Sequence, residues 1–372
     1  MERLRRFYPD PVLLFAVILL SLIGFLAILS VRVMPDLLYS LEIQHFRKPL
    51  FFLISLLLGL FLMSFVSYAL DYKKLNNQRM VYFLVSLSLF FLLLVLLKKL
   101  LLGKSVERWL IGTSIQPSEF SKVIIVVFIA YYVARKGAID RLRFFGWAVL
   151  IVVVHSVLLF LQPDKGMALF ILLLAWGVMW IGGTSPKIYM PVGALFTFFG
   201  AFMLYFGGDY VHKRFSVWQN PTEDSFGAGY QVIQSLLAFM NGGLLGQGYG
   251  KGFQKLGPLT QADTDYVLAV IGEELGLPGL IFVFLLYGIV IKRLISIASE
   301  VADTFGKLLV YGFMLNITIS VVVNVMMTVN LIPPKGTPLP FISYGVSNML
   351  ANLFALGLVG AVYKRQLQYR LL

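Results

Sequence analysis

Hydrophobic residues in this chain come in long, nearly unbroken runs rather than in the alternations or three-to-four spacings of a half-buried surface. Ten runs reach spanning length, near residues 12–31, 49–70, 80–97, 118–134, 144–161, 167–183, 188–206, 266–291, 308–331 and 344–363. A bilayer core about 30 Å thick takes roughly 20 apolar residues in helical form. A helix is favoured there because it satisfies its own backbone where no water can. The pattern predicts an all-α polytopic membrane protein with ten transmembrane helices. The first run is longer than the apolar core of a signal sequence and reads as a span. No internal repeat of the inverted-transporter kind is visible.

One polar interval breaks the rhythm. Residues 207–265 form the largest polar stretch and predict a long structured loop between helices seven and eight, within a single domain covering 1–372. It holds GAGYQVIQSLLAFMNGG (227–243), a short helix-like pattern carrying Gln231 and Gln234, and the Gly-rich GGLLGQGYGKG (242–252). Ordered loops of this size are usually functional; a flexible connector is the alternative. Arg3, Arg5 and Arg6 favour a cytoplasmic N-terminus, and Lys and Arg are somewhat denser in the segments that would share that side. An even helix count then puts both ends in the cytoplasm and the long loop outside. The outer 98–116 connection, with Lys98, Lys99, Lys104 and Arg108, is unusually basic.

Composition supports the pattern: 59% of residues are hydrophobic and 13% charged, against about a quarter charged in soluble domains. There is no cysteine, which excludes disulfides, Cys-ligated zinc and thiolate catalysis. His45, His155 and His212 are too scattered to predict a His-based metal site. The net charge of +13 suits topology and anionic lipid, and equally a phosphorylated substrate. With no separate basic domain, no nucleic-acid partner is expected.

Four constellations are chemically suggestive. LTQADTDYVLAVIGEELG (259–276) puts Asp263 and Asp265 before an apolar run and Glu273 and Glu274 inside it. In helical geometry Asp263 and Asp265 lie about 200° apart, and Asp265 and Glu273 about 12 Å apart along the axis, so no adjacent acid pair is formed. Asp263 reads best as a helix cap. Asp265 is either a cap or a lone acid at the membrane surface. Glu273 and Glu274, two turns into the span, call for an ion pair, a polar interior or substrate. RWLIGTSIQPSEFSKV (108–123) brings Arg108, Glu119 and Lys122, the last two at i,i+3: a buried ion pair, or a cationic site for phosphate. QPDKG (162–166) offers Asp164 as a cap or an organiser of nearby cations. LIPPKGTPLPFISYG (331–345), too rich in proline to be helical, is a stiff loop leading to Ser343 and Tyr344: a substrate-positioning wall or a linker.

Together, RW…QPSEFSK, QPDKG, GYQVIQS, TDYVLAVIGEELG and PLPFISYG, in this order over about residues 12–365, resemble the SEDS family (FtsW/RodA/SpoVE), slightly more its FtsW than its RodA branch. The resemblance implies a partly GT-C-like helical arrangement and polymerisation of lipid II into glycan strands at the outer face of the bacterial cytoplasmic membrane. Asp265 matches the acid of the family's T-D-[FY] pattern and would be the general base for the acceptor sugar's 4-hydroxyl. Cations at Lys122, Arg108, Lys251 and Lys255 would neutralise the leaving pyrophosphate. Glu119, Asp164, Gln231, Gln234, Ser343 and Tyr344 would contact substrate, while Asp263, Glu273 and Glu274 would be structural. A divalent cation (Mg or Mn) is a candidate cofactor. The partners implied are lipid II, a class B penicillin-binding protein and other division or elongation membrane proteins. Departures are Asp263 where His is frequent, Lys165 where an apolar residue is common, and Val346, Ser347 and Asn348 in place of G-S-S. A lipid II flippase and a noncatalytic scaffold are the rival readings.

Overall fold

The computed structural model describes residues 10–34, 43–103, 107–110, 112, 115–135, 142–206, 208–224 and 227–371; Arg3, Arg5, Arg6 and Lys104 lie outside them. The described elements are helical: α1 (Pro11–Arg32), α2 (Ile43–Ala69), α3 (Gln78–Leu101), α4 (Pro117–Ala134), α5 (Leu142–Leu161), α6 (Lys165–Ile181), α7 (Pro186–Tyr205), α8 (Asp209–Gln219), α9 (Ala228–Gly242), α10 (Val267–Glu300), α11 (Thr304–Thr328) and α12 (Val346–Leu371). Each apolar run coincides with a helix. Among the described residues, seven helices are long and apolar enough to cross a membrane, and 146–161 and 165–181 are shorter apolar helices. The protein is an all-helical, multi-pass membrane protein.

Local chemistry sets the helix starts. Pro11 and Pro117 open α1 and α4, where a missing N–H costs nothing. Asp10, Asp164 and Asp303 cap α1, α6 and α11 by accepting from Leu13, Met167 and Gly306 N–H groups. Asp10 also accepts both ends of the Arg293 guanidinium at 3.0 and 2.6 Å, tying α1 to the far part of α10.

The centre of the bundle is α4, buried on nearly every face, with α3, α6, α11 and α12 around it. Helix α12 runs along α2, and α1 runs along α10. Gly59 and Gly357 allow the α2–α12 approach: a Cβ at Gly59 would lie 2.3 Å from Leu353, and one at Gly357 3.0 Å from Val66. Small residues let apolar helices close where lipid offers no hydrophobic drive. Leu57, Phe61, Phe83 and Phe90 stay exposed on α2 and α3, as lipid-facing positions should.

Helix α10 corrects the sequence reading. Its 34 residues would make about 51 Å of straight helix, too long for one span. Gly276, at φ 60° and ψ −157°, breaks it, and Pro278 follows. The half-helix 267–275 therefore ends within the protein. Its last carbonyls accept from the neighbouring loop: Gln247 N–H to Glu273 O and Gly248 N–H to Glu274 O, both at 2.9 Å. Glu273 and Glu274 are thus at the end of a broken helix, not two turns into a continuous span.

The described residues of the 207–265 interval form helices and turns packed on the bundle. Helix α9 packs on α10, and α8 is strapped to the 330–334 loop. Trp218 Nε1 donates to Asn330 O at 3.0 Å, and Arg214 donates to Pro334 O.

Candidate active site

A cavity of about 1100 Å³ opens among α2, α4, α6, α8, α9 and the loops before α10 and α12. Asp265 lines it together with Lys48, Arg108, Glu119, Asp164, Arg214, Gln231, Lys335 and Tyr344. A smaller depression of about 650 Å³, lined by Asn76, Asn77, Gln78, Arg79, Tyr82 and Arg135, lies at the other end of α4 and contains no acid.

The acid is delivered by a turn, not by a helix start. Residues 260–266 are turns and α10 begins at Val267, whose N-cap Tyr266 provides no side-chain cap. Neither Asp263 nor Asp265 caps it. Three consecutive carbonyls of the turn are pinned from elsewhere. Asp263 O accepts from Tyr344 N–H at 2.8 Å, Thr264 O from Ser343 Oγ at 2.5 Å, and Asp265 O from Asn324 Nδ2 at 2.8 Å. The stiff PLPFISYG loop is therefore the bed on which the acid rests. Ser343 acts on that bed and, unlike Tyr344, does not line the cavity.

Asp263 points away to a different task. Its Oδ2 accepts from Arg32 Nε at 2.8 Å and Lys48 Nζ at 2.7 Å, joining the end of α1 and the start of α2 to the turn. Burial opposes its ionisation, but the two cations outweigh burial and hold the carboxyl below its ordinary value. The expected cap is an ion-paired anchor instead. Asp265 is half-buried and makes no such close pair among the described residues. Burial pushes it up to about 6, against the pull of Arg214, Arg108 and Lys335. Asp263 adds to the rise, but after these other influences.

Cations arrive from separate elements. Arg214 comes on α8. Arg108 donates to Pro163 O at 2.6 Å and sits 3.9 Å from Asp164. Lys335 comes on the proline-rich loop, its stem crossing Gly166 of QPDKG. A Cβ at Gly166 would lie 2.0 Å from Lys335 Cε, so glycine clears its path. Burial draws Lys335 down to about 8. Gly336 beside it lets the loop reach the acid: a Cβ there would sit 2.9 Å from Asp265 Oδ2. Arg214, Lys335 and Lys48 were not singled out by the sequence. The signal was present for Lys335, a lone cation in a rigid proline loop; Arg214 lies in the polar HKRF run without a distinguishing pattern.

Other candidates fall elsewhere. Glu119 lines the cavity, and Lys122 is paired to it at 2.6 Å, both nearly fully buried, with Asn348 Nδ2 donating to Glu119 at 2.8 Å. Lys122 is thus neutralised below the cavity, not offered to a ligand. Asp164 caps α6 and accepts from Gln116 at 3.2 Å. Gln231 reaches the rim and donates to Thr260 at 2.7 Å, while Gln234 does not line the cavity. Lys255 is a correction: its side chain is wholly buried against Glu274 Oε1 at 2.6 Å and Ser30 at 2.5 Å. Lys251 is exposed and also outside the cavity lining. Glu273 accepts backbone N–H groups of Phe253 and Gln254. Among the described residues no three His, Cys, Asp or Glu side chains gather as metal ligands, and Glu119 and Asp164 are already engaged. The expected Mg or Mn site is not built from these residues.

The match of the cell cycle protein family FtsW/RodA/SpoVE extends over residues 11–368. The chain belongs to this family. Relatives within it include the probable peptidoglycan glycosyltransferase FtsW of Trichlorobacter lovleyi, 36% identical across 80% of this chain and 78% of that protein. The FtsW of Methylomonas methanica is 33% identical across 96% and 93%. A solved structure described as showing structural coordination of polymerization and crosslinking by a peptidoglycan synthase complex superposes with a TM-score of 0.75 at 27% identity, covering 96% of this chain and 98% of that one. In this member of the family, Asp265 shares one large hollow with Lys48, Arg108, Arg214, Lys335, Asp164 and the Glu119 of a buried Glu–Lys pair.

Proposed function

We propose that the chain, a peptidoglycan glycosyltransferase of cell-wall synthesis, polymerises lipid II at the outer face of the bacterial cytoplasmic membrane, with Asp265 as general base. The observation that carries this is a half-buried carboxylate that, among the described residues, makes no close ion pair and faces the same cavity as Arg108, Arg214 and Lys335. Glycosyl transfer from a lipid diphosphate needs these two things. The acceptor hydroxyl must lose a proton, and the departing diphosphate must be stabilised.

The step balances on these groups. Asp265 takes the proton of the acceptor's sugar 4-hydroxyl as its oxygen attacks the donor's anomeric carbon. The bond from that carbon to the diphosphate breaks, and the undecaprenyl diphosphate leaves with the electron pair. Base catalysis of this sort contributes about 10²–10⁴-fold. Arg108, Arg214 and Lys335, held by Pro163, Pro334 and the Gly166 gap, stabilise the leaving anion without reorganising. An acid pushed up to about 6 is ionised near neutrality yet basic enough to accept a proton. Ten spans, with both ends cytoplasmic and 207–265 outside, would put the cavity on the outer side. The solved synthase complex, which couples polymerization to crosslinking, supports a class B penicillin-binding protein as partner.

Asp265→Asn is expected to abolish glycan strands in a gel assay with purified full-length protein, its partner and fluorescent lipid II, while the protein stays folded. Strands near the wild-type amount from that variant would reject the assignment, and intact cell growth on Asp265→Ala would favour a scaffold.

A further inference from the structure

Asp265 and Lys335 sit on different loops, and one buried side chain joins those loops. Asn324, near the end of α11, is fully buried. Its Nδ2 donates one hydrogen to Asp265 O and the other to Thr337 O, both at 2.8 Å. Thr337 is two residues from Lys335 and adjoins Gly336, where an added Cβ would sit 2.9 Å from Asp265 Oδ2. The other pins of the acid's turn, Ser343 and Tyr344 N–H, hold Asp263 and Thr264 to the later part of the loop.

We propose that Asn324 is a positioning residue that sets the spacing between the acid and Lys335, and this rests on the reading of Asp265 as base. One amide nitrogen with two hydrogens holds two carbonyl oxygens about 5 Å apart. No other uncharged side chain of this size does so. Asp lacks the hydrogens, Ser and Thr have one, Leu has none, and Gln is a methylene longer. Asn324 and Thr337 are buried, and no other donor to these two carbonyls is found among the described residues.

The test is the lipid II assay on full chain with partner, for Asn324→Ala, Asn324→Asp and Asn324→Gln, with Asp265→Asn alongside. Initial rates are measured against lipid II concentration and pH. The expected result for Ala and Asp is a kcat lower by about tenfold to a hundredfold, with KM within about twofold of wild type. The acid limb of the pH profile should move upward as Lys335 retreats, the other charges facing Asp265 (Arg214 of α8, Arg108 before α4, and Asp263) staying in place. Asn324→Gln keeps both donors but displaces them; it is expected to fold, to lose kcat by a smaller factor, and to carry the test if the others do not fold. Wild-type kcat in Asn324→Ala, or in Asn324→Gln where that variant stands in, overturns the inference. So does a kcat loss that tracks thermal stability with an unmoved pH profile. A dead Asp265→Asn beside unaffected Asn324 variants rejects positioning alone, whereas an active Asp265→Asn rejects the base assignment and positioning together.

Discussion

At the scale of single residues, two titrations frame the activity. Burial pushes Asp265 up to about 6 and draws Lys335 down to about 8. On the proposal that Asp265 is the base, it must be ionised, so rate is lost as pH falls through about 6. The lysine must be charged, so rate is lost as pH rises through about 8. A bell between these values is expected in initial-rate measurements, and Lys335→Met should lower the rate and remove the basic limb. Stability runs the other way for the acid. Its folded pKa lies above the ordinary 3.8, so ionising it between about 4 and 6 destabilises the fold. Asp265→Asn should therefore be dead yet at least as resistant to heat as wild type at pH 7.5, read by thermal unfolding in detergent; activity and stability trade against each other at such sites. Gly166 makes a sharper case. The nearest atoms to a methyl there are the Lys335 stem carbons from Cγ to Cε, so Gly166→Ala should displace that side chain with its ammonium and cut the rate about tenfold or more, in initial-rate measurements. Local spacing left a cap open for the acid of TDY alongside a lone acid at the membrane surface, and the family pattern is what turned the reading to the active site. What made it an unpaired acid was the turn that denies it helix N–H groups, and a turn of that kind is not written in hydropathy.

At the scale of elements, helix identities were legible and helix integrity was not. Runs of apolar residues mark spans because lipid imposes one solution on the backbone, and every predicted run became a helix. The interruption of α10 was written in plain view as GLPG, yet averaging over a window of apolar residues passes across it. The break explains Glu273 and Glu274, whose ion pairing and hydrogen bonds the sequence anticipated only in general terms. Lys255 could not be placed, because its partner Glu274 approaches from the far side of a Gly-rich loop, with Ser30 of α1 completing the cluster. The cluster fastens α1, the loop and the half-helix together. Lys255→Met alone leaves a buried carboxylate without its cation and should cost about 3–5 kcal/mol. The double change Lys255→Met with Glu274→Leu should recover most of that. Denaturation of the two variants in matched detergent measures the difference, and equal losses would show that the charges themselves are not the fastening.

At the scale of the whole molecule, the polar interior decides between moving a lipid and joining sugars. A flippase needs polar groups in sequence from one face to the other, with room for a headgroup to pass. Here the cavity ends on groups that satisfy one another. Lys122 pairs with Glu119, Asn348 donates to Glu119, Asn352 donates to Asn348, and Asn316 donates to Asn352, all buried. The charges in that floor are already paired with each other, so a diphosphate entering it would have to break that pair and leave a charge bare, at a cost of several kcal/mol per ion. Tyr131, Tyr132 and Phe128 of α4 fill the space beyond. The sequence showed the intramembrane Glu and Lys that make a transport path conceivable, but could not show that Asn316, Asn348 and Asn352 from two other helices close over them. The consequence is measurable in proteoliposomes carrying fluorescent lipid II in both leaflets. An impermeant quencher added outside should extinguish the same fraction of signal, at the same rate, with and without the protein, while glycan strands accumulate when the partner is present. Removing the floor's charges by Glu119→Gln with Lys122→Met should leave that quenching unchanged. Protein-dependent loss of the inner-leaflet signal would instead mean that the floor opens, and the chain would have to be read as a carrier.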